Sequence, residues 1–472
     1  MDIAGLTSFT ASRWDDDIVA QLTDYIRVPA KSPHFDSQWE ANGYIERVIR
    51  LAEAWVRAQP IRGLRCEIVR LAGRTPVLFF EVPARGTERV DTVLLYGHLD
   101  KQPEMTGWRT DLGPWLPKLE DGKLYGRGGA DDGYAVFAAL AALGALDAQG
   151  LPHARCVGII ETCEESGSYD LPPYLETLAS RMGNVSLVIG LDSGCGDYER
   201  LWATTSLRGL AAGTLAVEVL TEGVHSGDAS GVVPSSFRIA RTLIERLEEQ
   251  TTGRIKPDVF HAVIPDERMQ QARAAAEIMG DIVFRKYPFA GNTAPMLNDR
   301  AEALLNRTWR PALSVIGAEG LPAIANAGNV LRPRTELQLS LRLPPIVDGD
   351  AATAAMKSLL ERDPPYAANV TFRPENAATG WNAPPTAPWL DAALQRASQA
   401  LYDKPAAAVG EGGTIPFMGM LGRQFPAAQF LITGVLGPKS NAHGPNEFLH
   451  VPYAKKLTAC VSVVIAAHAT HS

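Results

Sequence analysis

The stretch Leu94-Leu95-Tyr96-Gly97-His98-Leu99-Asp100 passes from an apolar run, short enough for a buried strand, directly into an imidazole and a carboxylate. The pattern recurs along the chain, where Val157–Thr162 precedes Glu164 and Glu165, and Leu187–Leu191 precedes Asp192. A buried strand that ends in ionisable residues delivers charge to the end of a sheet, which is where open α/β sheets build ligand sites. Asp131, in Gly126-Arg-Gly-Gly-Ala-Asp-Asp-Gly, and His443, in Asn441-Ala-His-Gly-Pro-Asn-Glu, lie in two further polar clusters. Two imidazoles with three or four carboxylates suit a pair of divalent ions, so these residues predict a two-metal hydrolase.

Two neighbouring cations repel, and a carboxylate shared between them both sets their spacing and offsets that repulsion. Asp131 is the candidate bridge. His98 and Asp192 would complete one site, and Glu165 and His443 the other, each keeping an open position. Asp100, two residues beyond His98, is placed to orient a ligand or the catalytic carboxylate. Of the adjacent glutamates 164 and 165, one can ligate while the other faces the attacking water as general base. His225, in Glu222-Gly-Val-His-Ser-Gly-Asp, ends another strand pattern and could stabilise an oxyanion. His34, His153, His261, His450, His468 and His471 have no comparable surroundings and read as surface or structural residues.

Helical spacing over 15–27 and 37–58 alternates with strand patterns at 66–71, 76–82 and 92–96, followed by an alanine-rich helix over 134–148. From about 209 the texture changes to alternating strands (213–220, 311–315, 335–342, 369–373) and amphipathic helices (236–250, 348–362), with no metal cluster. The fold class is therefore α/β: a catalytic sheet domain in two parts, 1–208 and 381–472, with an inserted α+β domain over 209–380. The closing part contributes a helix at 389–402, a strand at 428–435 and a helix from about 452. Since His443 lies there, the metal site closes only if this segment returns to the first domain.

Composition removes several alternatives. With 45 Lys and Arg against 53 Asp and Glu, a net charge of -8 and both signs scattered, the chain has no basic stripe for nucleic acid. Its apolar runs at 134–146 and 457–467 are too short or interrupted to span a bilayer, and no secretory signal is visible. Five widely spaced cysteines without a Cys-x-x-Cys pair read as reduced thiols of a cytoplasmic protein. Cys163 and Cys195 lie near proposed ligands, but neither is needed to complete the site. The loop at Gly126 carries Asp131 where a dinucleotide fingerprint needs glycine, and no Gly-x-Ser-x-Gly elbow is present.

Taken in order, Gly97-His-Leu-Asp, Gly126-Arg-Gly-Gly-Ala-Asp-Asp-Gly, Glu164-Glu-Ser-Gly-Ser and Asn441-Ala-His-Gly-Pro-Asn-Glu resemble the M20 family of metallopeptidases, nearest to its carnosinase-like dipeptidase branch. Gln102-Pro103, Gly107-Trp108 and Arg342-Leu-Pro extend the resemblance over nearly the whole chain. It implies two zinc ions, or manganese or cobalt, with His98 and Asp192 on one, Glu165 and His443 on the other and Asp131 on both. It makes Glu164 the base, gives Asp100 a supporting catalytic role and implies a cis peptide between Asp131 and Asp132. The inserted domain becomes a lid that mediates homodimerisation, its His225 reaching the partner's active site. Asn329, Arg342, Gly413 and Thr414 become substrate contacts, Arg342 holding a carboxylate.

The resemblance thus implies hydrolysis of dipeptides or small peptide-like substrates with a free carboxylate. The alternatives are an N-acyl-amino-acid deacylase or desuccinylase with the same metals, and a catalytically silent metal-binding protein. One departure concerns specificity: dipeptidase relatives often carry arginine two residues before the first glycine of the Gly412-Gly413-Thr414-Ile-Pro loop, and here that residue is Gly410.

Overall fold

A computed structural model describes residues 1–471. The chain forms two compact units, one of Met1–Thr205, Ala383–Val409 and the residues from Met420 on, the other of Ser206–Asn382 and Gly410–Gly419. The short segment Gly410–Gly419 was expected with the closing part of the first domain. It clusters with the second unit because Thr414 Oγ1 donates to Arg208 O (2.6 Å) and Arg208 Nε donates to Gly412 O (3.1 Å).

The first unit is built on a six-stranded sheet ordered Arg65–Val69, Val77–Val82, Arg155–Glu161, Thr92–His98, Val185–Gly190, Gln429–Ile432. The first two pairings are antiparallel and the remaining three parallel. Strands buried on both faces need continuous apolar sequence, and Thr92–His98 is buried at every residue. The helix Ala135–Gln149 follows the same logic: rich in alanine and leucine, it is apolar all round and almost wholly buried. The closing helix Val451–Thr470 packs against it and against Pro388–Tyr402.

The second unit carries a four-stranded antiparallel sheet ordered Ala312–Glu319, Arg334–Leu343, Gly209–Glu218, Asn369–Ala378. Alternating burial along Arg334–Leu343 puts Leu337, Leu339, Leu341 and Leu343 into a core shared with Leu243, Met356 and Phe372. Two of its helices begin on aspartate caps: Asp348 Oδ1 accepts from Ala351 N (2.7 Å), and Asp299 Oδ1 accepts from Glu302 N (2.9 Å).

Several element boundaries differ from the periodic reading. The helix expected over 37–58 is broken at Gly43, which adopts φ 68° between Trp39–Asn42 and Tyr44–Arg57. The helix expected to reach 250 stops at Ile244, since the chain folds back to bury Leu247 and bridges Glu248 to Ile255. The helix Ile3–Arg13 shows little amphipathic signal, burying only Leu6 and Thr10.

The return of the closing segment to the first domain has a visible cause. Glu447 is completely buried and accepts from Arg127 Nη1 (2.5 Å) and Gly128 N (2.9 Å), while Arg127 Nη2 donates to Gly444 O (2.9 Å). Gly126 N donates to Glu447 O (3.0 Å), and Phe448–His450 pairs antiparallel with Lys123–Tyr125. The segment carrying His443 is thereby fastened to the loop leading to Asp131. Glu447→Gln leaves the Arg127 guanidinium buried without its counter-charge, which costs about 3–5 kcal/mol for a pair of this kind. Urea unfolding of the two proteins should show that loss, and a difference below about 1 kcal/mol would deny the pair this role.

Candidate metal centre

The strand Thr92–His98 ends in the imidazole itself, while Glu164 and Asp192 follow the ends of Arg155–Glu161 and Val185–Gly190. Neighbouring parallel strands therefore bring three of the expected residues to one end of the sheet. Gly97 permits the fourth: a Cβ there would lie 2.6 Å from Ala135 Cβ and 2.9 Å from Asp132 Oδ2. Without it the segment Asp131–Asp132 lies close against the strand. The peptide bond between these two aspartates is cis, as the resemblance implies.

Asp131 divides its oxygens. Oδ1 lies 3.4 Å from His98 Nε2 and Oδ2 lies 3.0 Å from His443 Nε2. His98 Nε2 also faces Glu164 Oε2 and Asp192 Oδ2, each at 3.9 Å, and His443 Nε2 faces Glu165 Oε2 at 3.4 Å. Two groups have ligand atoms within 4.8 Å of one another: His98, Asp131 and Glu165, and His98, Glu164 and Asp192. Glu164 thus stands beside the expected ligands, within reach of the same space as Asp192. His443 is the exposed member, held on a left-handed backbone (φ 63°).

These residues fit divalent ions on two counts. His98 Nε2 is buried and lacks a hydrogen-bond partner, which is costly unless something else takes its lone pair. Its other nitrogen, Nδ1, lies 3.1 Å from Asp100 O, an arrangement in which Nδ1 carries the proton and Nε2 is left as ligand atom. The second count is charge. Burial, and then repulsion from Asp192, raises Glu164 well above the usual carboxylate range, and burial raises Glu165 with Asp131 adding to it. Burial pushes Asp192 up to about 7 against the pull of His98. Asp131 is held low despite its burial because both imidazoles attract its charge. Two imidazoles cannot balance this many carboxylates, whereas cations would.

Asp100 is wholly buried, and its oxygens accept from the backbone of Glu164 (3.1 Å) and Glu165 (3.0 Å). It holds the turn on which both glutamates stand. Gln102 Nε2 donates to Glu165 Oε2 (2.6 Å), and Lys101, also wholly buried, donates to Tyr25 O and Val28 O (2.8 Å each). Periodicity carries no signal for these two contacts, nor for the Arg127–Glu447 pair, because their partners are distant in sequence.

The other expected residues lie in the second unit. His225 ends the short strand Val224–His225, which pairs with Val330–Leu331, and Ser226 N donates to Asn329 O (2.9 Å). His225 Nδ1 accepts from Gly227 N (3.1 Å), so the neutral ring carries its proton on Nε2. Arg342 Nη1 donates to Thr414 Oγ1 (3.0 Å), and Gly413 has open space where a side chain would stand. Cys163 and Cys195 are buried thiols outside both candidate metal groups.

The model of Peptidase family M20/M25/M40 matches residues 94–467. The chain is 28% identical over 377 residues to the cysteinylglycine-S-conjugate dipeptidase of Corynebacterium striatum, covering 77% of this chain and 79% of that one. It is 29% identical over 294 residues to the Beta-Ala-His dipeptidase of Homo sapiens, covering 61% and 56%. The match to the human protein therefore spans little more than half of its length. Among solved structures, the di-peptidase Dug1p from Saccharomyces cerevisiae superposes with a TM-score of 0.77 at 19% identity, covering 100% of this chain and 99% of that one. Human carnosine dipeptidase 1 does so with a TM-score of 0.77 at 21% identity, covering 99% of each. At these identities the structural likeness is one of fold. The family match takes in most of the chain and every proposed ligand from His98 to His443, and the chain belongs to peptidase family M20/M25/M40.

Proposed function

We propose that this metal-dependent peptide hydrolase cleaves the amide bond of dipeptides or small peptide-like substrates that carry a free carboxylate. The observation that carries the reading is Asp131, with one oxygen toward each imidazole and Glu164 beside it. The dipeptidase names of the relatives supply the substrate class. In this reading His98 and Asp192 would hold one divalent ion and Glu165 and His443 the other, with Asp131 serving both. Nitrogen and oxygen donors of this kind favour zinc, with manganese or cobalt as alternatives.

When bound, such ions polarise the scissile carbonyl and lower the pKa of water. The chain's own residues do the rest. Glu164 takes a proton from the attacking water and passes it to the leaving amine nitrogen, while Asp100 fixes the turn that aims it. His225, protonated on Nε2, donates to the carbonyl oxygen as it gains charge. Arg342, with Thr414 and the Gly413 backbone beside it and Asn329 near His225, receives the substrate carboxylate and orients the peptide.

The second unit serves as lid and dimerisation domain, and the enzyme is a C2 homodimer. Support comes from the edge strand Ala312–Glu319, which exposes Val315 (51%) and Ile316 (59%). A cytoplasmic setting fits five cysteines that form no disulfide. Among the described residues no helix is long and apolar enough to cross a membrane. A screen of the metal-reconstituted enzyme over dipeptides, β-alanyl peptides and N-acyl amino acids tests the substrate class, and strong preference for N-acyl compounds would overturn it.

Metal analysis separates the roles of the acids. Glu164→Ala should keep close to two metals per chain and lose about two to four orders of magnitude in turnover, whereas Asp131→Asn should weaken both metals together. Loss of metal from the first variant, or two tight metals in the second, would show the assignments to be wrong.

If His225 acts in trans, His225→Ala and Glu164→Ala chains are each inactive, yet their heterodimer contains one complete site. Co-expression with different tags should then restore up to about half of wild-type activity. A verified heterodimer that stays inactive would remove the lid histidine from trans catalysis.

A further inference from the structure

The second unit gathers more positive charge around the Gly412–Thr414 loop than one substrate carboxylate requires. Arg342 donates to Thr414 Oγ1 (3.0 Å) and Arg208 donates to Gly412 O (3.1 Å) and Asn306 O (3.4 Å). The loop also rests on the stem of Arg307, since a Cβ at Gly412 would lie 3.1 Å from Arg307 Cγ and 3.4 Å from Arg208 Nη2, and the Arg307 guanidinium stands with Nη1 3.9 Å from Glu411 Oε2. Arg307 is the one that its surroundings leave unsatisfied. Its Nε is buried without a hydrogen-bond partner, and Glu411 lies 3.9 Å from Nη1, too far for a hydrogen bond.

The three side chains act on one another. Burial and then the charges of Arg342 and Arg307 bring Arg208 down to about 10, a cost that an anion placed among them would relieve. Lys286 faces both Arg307 and Glu411, so with Glu411 as the one carboxylate beside Arg307 the three arginines and this lysine keep a surplus of three positive charges. A substrate carboxylate at Arg342 neutralises one. Guanidinium forks match carboxylates bidentately, so the remaining charge suits a second carboxylate on the same substrate residue. There is room for it: Gly413 has nothing within 4 Å of a Cβ position. Crowding fixes the neighbouring residue as well, because a Cβ at Gly410 would lie 3.0 Å from Thr308 Cβ and 2.4 Å from Ser206 Oγ. A long cation at 410 is therefore excluded, and Arg307 supplies the charge from the adjoining helix, Arg300–Thr308.

We propose that Arg307, supported by Arg208, forms a second carboxylate subsite beside Arg342, and that the enzyme prefers peptides whose C-terminal residue is aspartate or glutamate. This rests on the peptide-hydrolase reading above and names its substrate class. The pair Ala-Glu and Ala-Gln differs in the carboxylate alone. The zinc-loaded wild type should show kcat/KM at least about tenfold higher for Ala-Glu, carried mainly by KM. In Arg307→Gln the ratio of the two should fall to within about twofold, and in Arg307→Lys it should be partly retained. A ratio taken within one variant is insensitive to the fraction of protein that is folded.

Calorimetric binding of both peptides to the zinc-loaded Glu164→Ala chain, with and without Arg307→Gln, keeps the two readings apart. Preferential binding of Ala-Glu that depends on Arg307, without cleavage of either peptide by the wild type, would support the subsite while overturning the dipeptidase reading. Cleavage of both peptides at equal efficiency, or a preference for Ala-Glu that survives Arg307→Gln, would overturn the subsite and leave that reading in place.

Discussion

The position of Asp131 between two imidazoles is the constraint on which the first unit depends. One carboxylate can face His98 and His443 together only if the strand ending at His98, the segment Asp131–Asp132 and the loop around His443 are all held close. Each is held by a different device. A missing side chain at Gly97 admits the aspartates, Asp100 ties the turn carrying both glutamates, and the Arg127–Glu447 pair fastens the closing segment. The carboxylates so gathered repel one another in a buried setting. An arrangement of this kind persists only where positive charge balances it.

The two units present opposite electrostatic problems. The first gathers acids around two imidazoles and suits cations, whereas the second gathers three arginines around a glycine loop and suits anions. A small peptide offers groups of both kinds, a polarisable amide and a carboxylate. Arg307 adds to that division of labour a charge that a single carboxylate would not use.

The residues that gather at the candidate centre were legible in the sequence because each ends an apolar run or sits in a glycine-rich loop, and a run of that kind has to become a buried strand. Thr92–His98 illustrates this, since no other apolar segment could place His98 at a sheet end. The division of the chain was legible from the change to alternating strands near residue 209, but the membership of Gly410–Gly419 was not. That segment is held by hydrogen bonds to Arg208 and Arg342, 206 and 72 residues before Thr414, and no local pattern encodes such distant partners. The same limit hid the contacts of Arg127, Lys101 and Gln102, although two of these stand in recognised motifs, and it hid Arg307 altogether. A charged residue inside a protein looks like any surface charge until its partner is known. Helix ends were misplaced where a left-handed glycine or a buried leucine beyond the last turn decided them, as at Gly43 and Leu247.

The distance along the chain between His98 and His443 sets an order of events. A ribosome finishes the segments bearing His98, Asp131, Glu164, Glu165 and Asp192 before it begins the second unit, and His443 and Glu447 emerge only after that unit is complete. Until then the acid cluster lacks both its second imidazole and the pair that closes it. Ions that bound the assembled centre more tightly than the open chain would draw the late segment into place, and metal capture would then be thermodynamically linked to the final docking of the chain. Metal supply would on that linkage bear on how much of the protein is folded, as well as on how fast each folded molecule works.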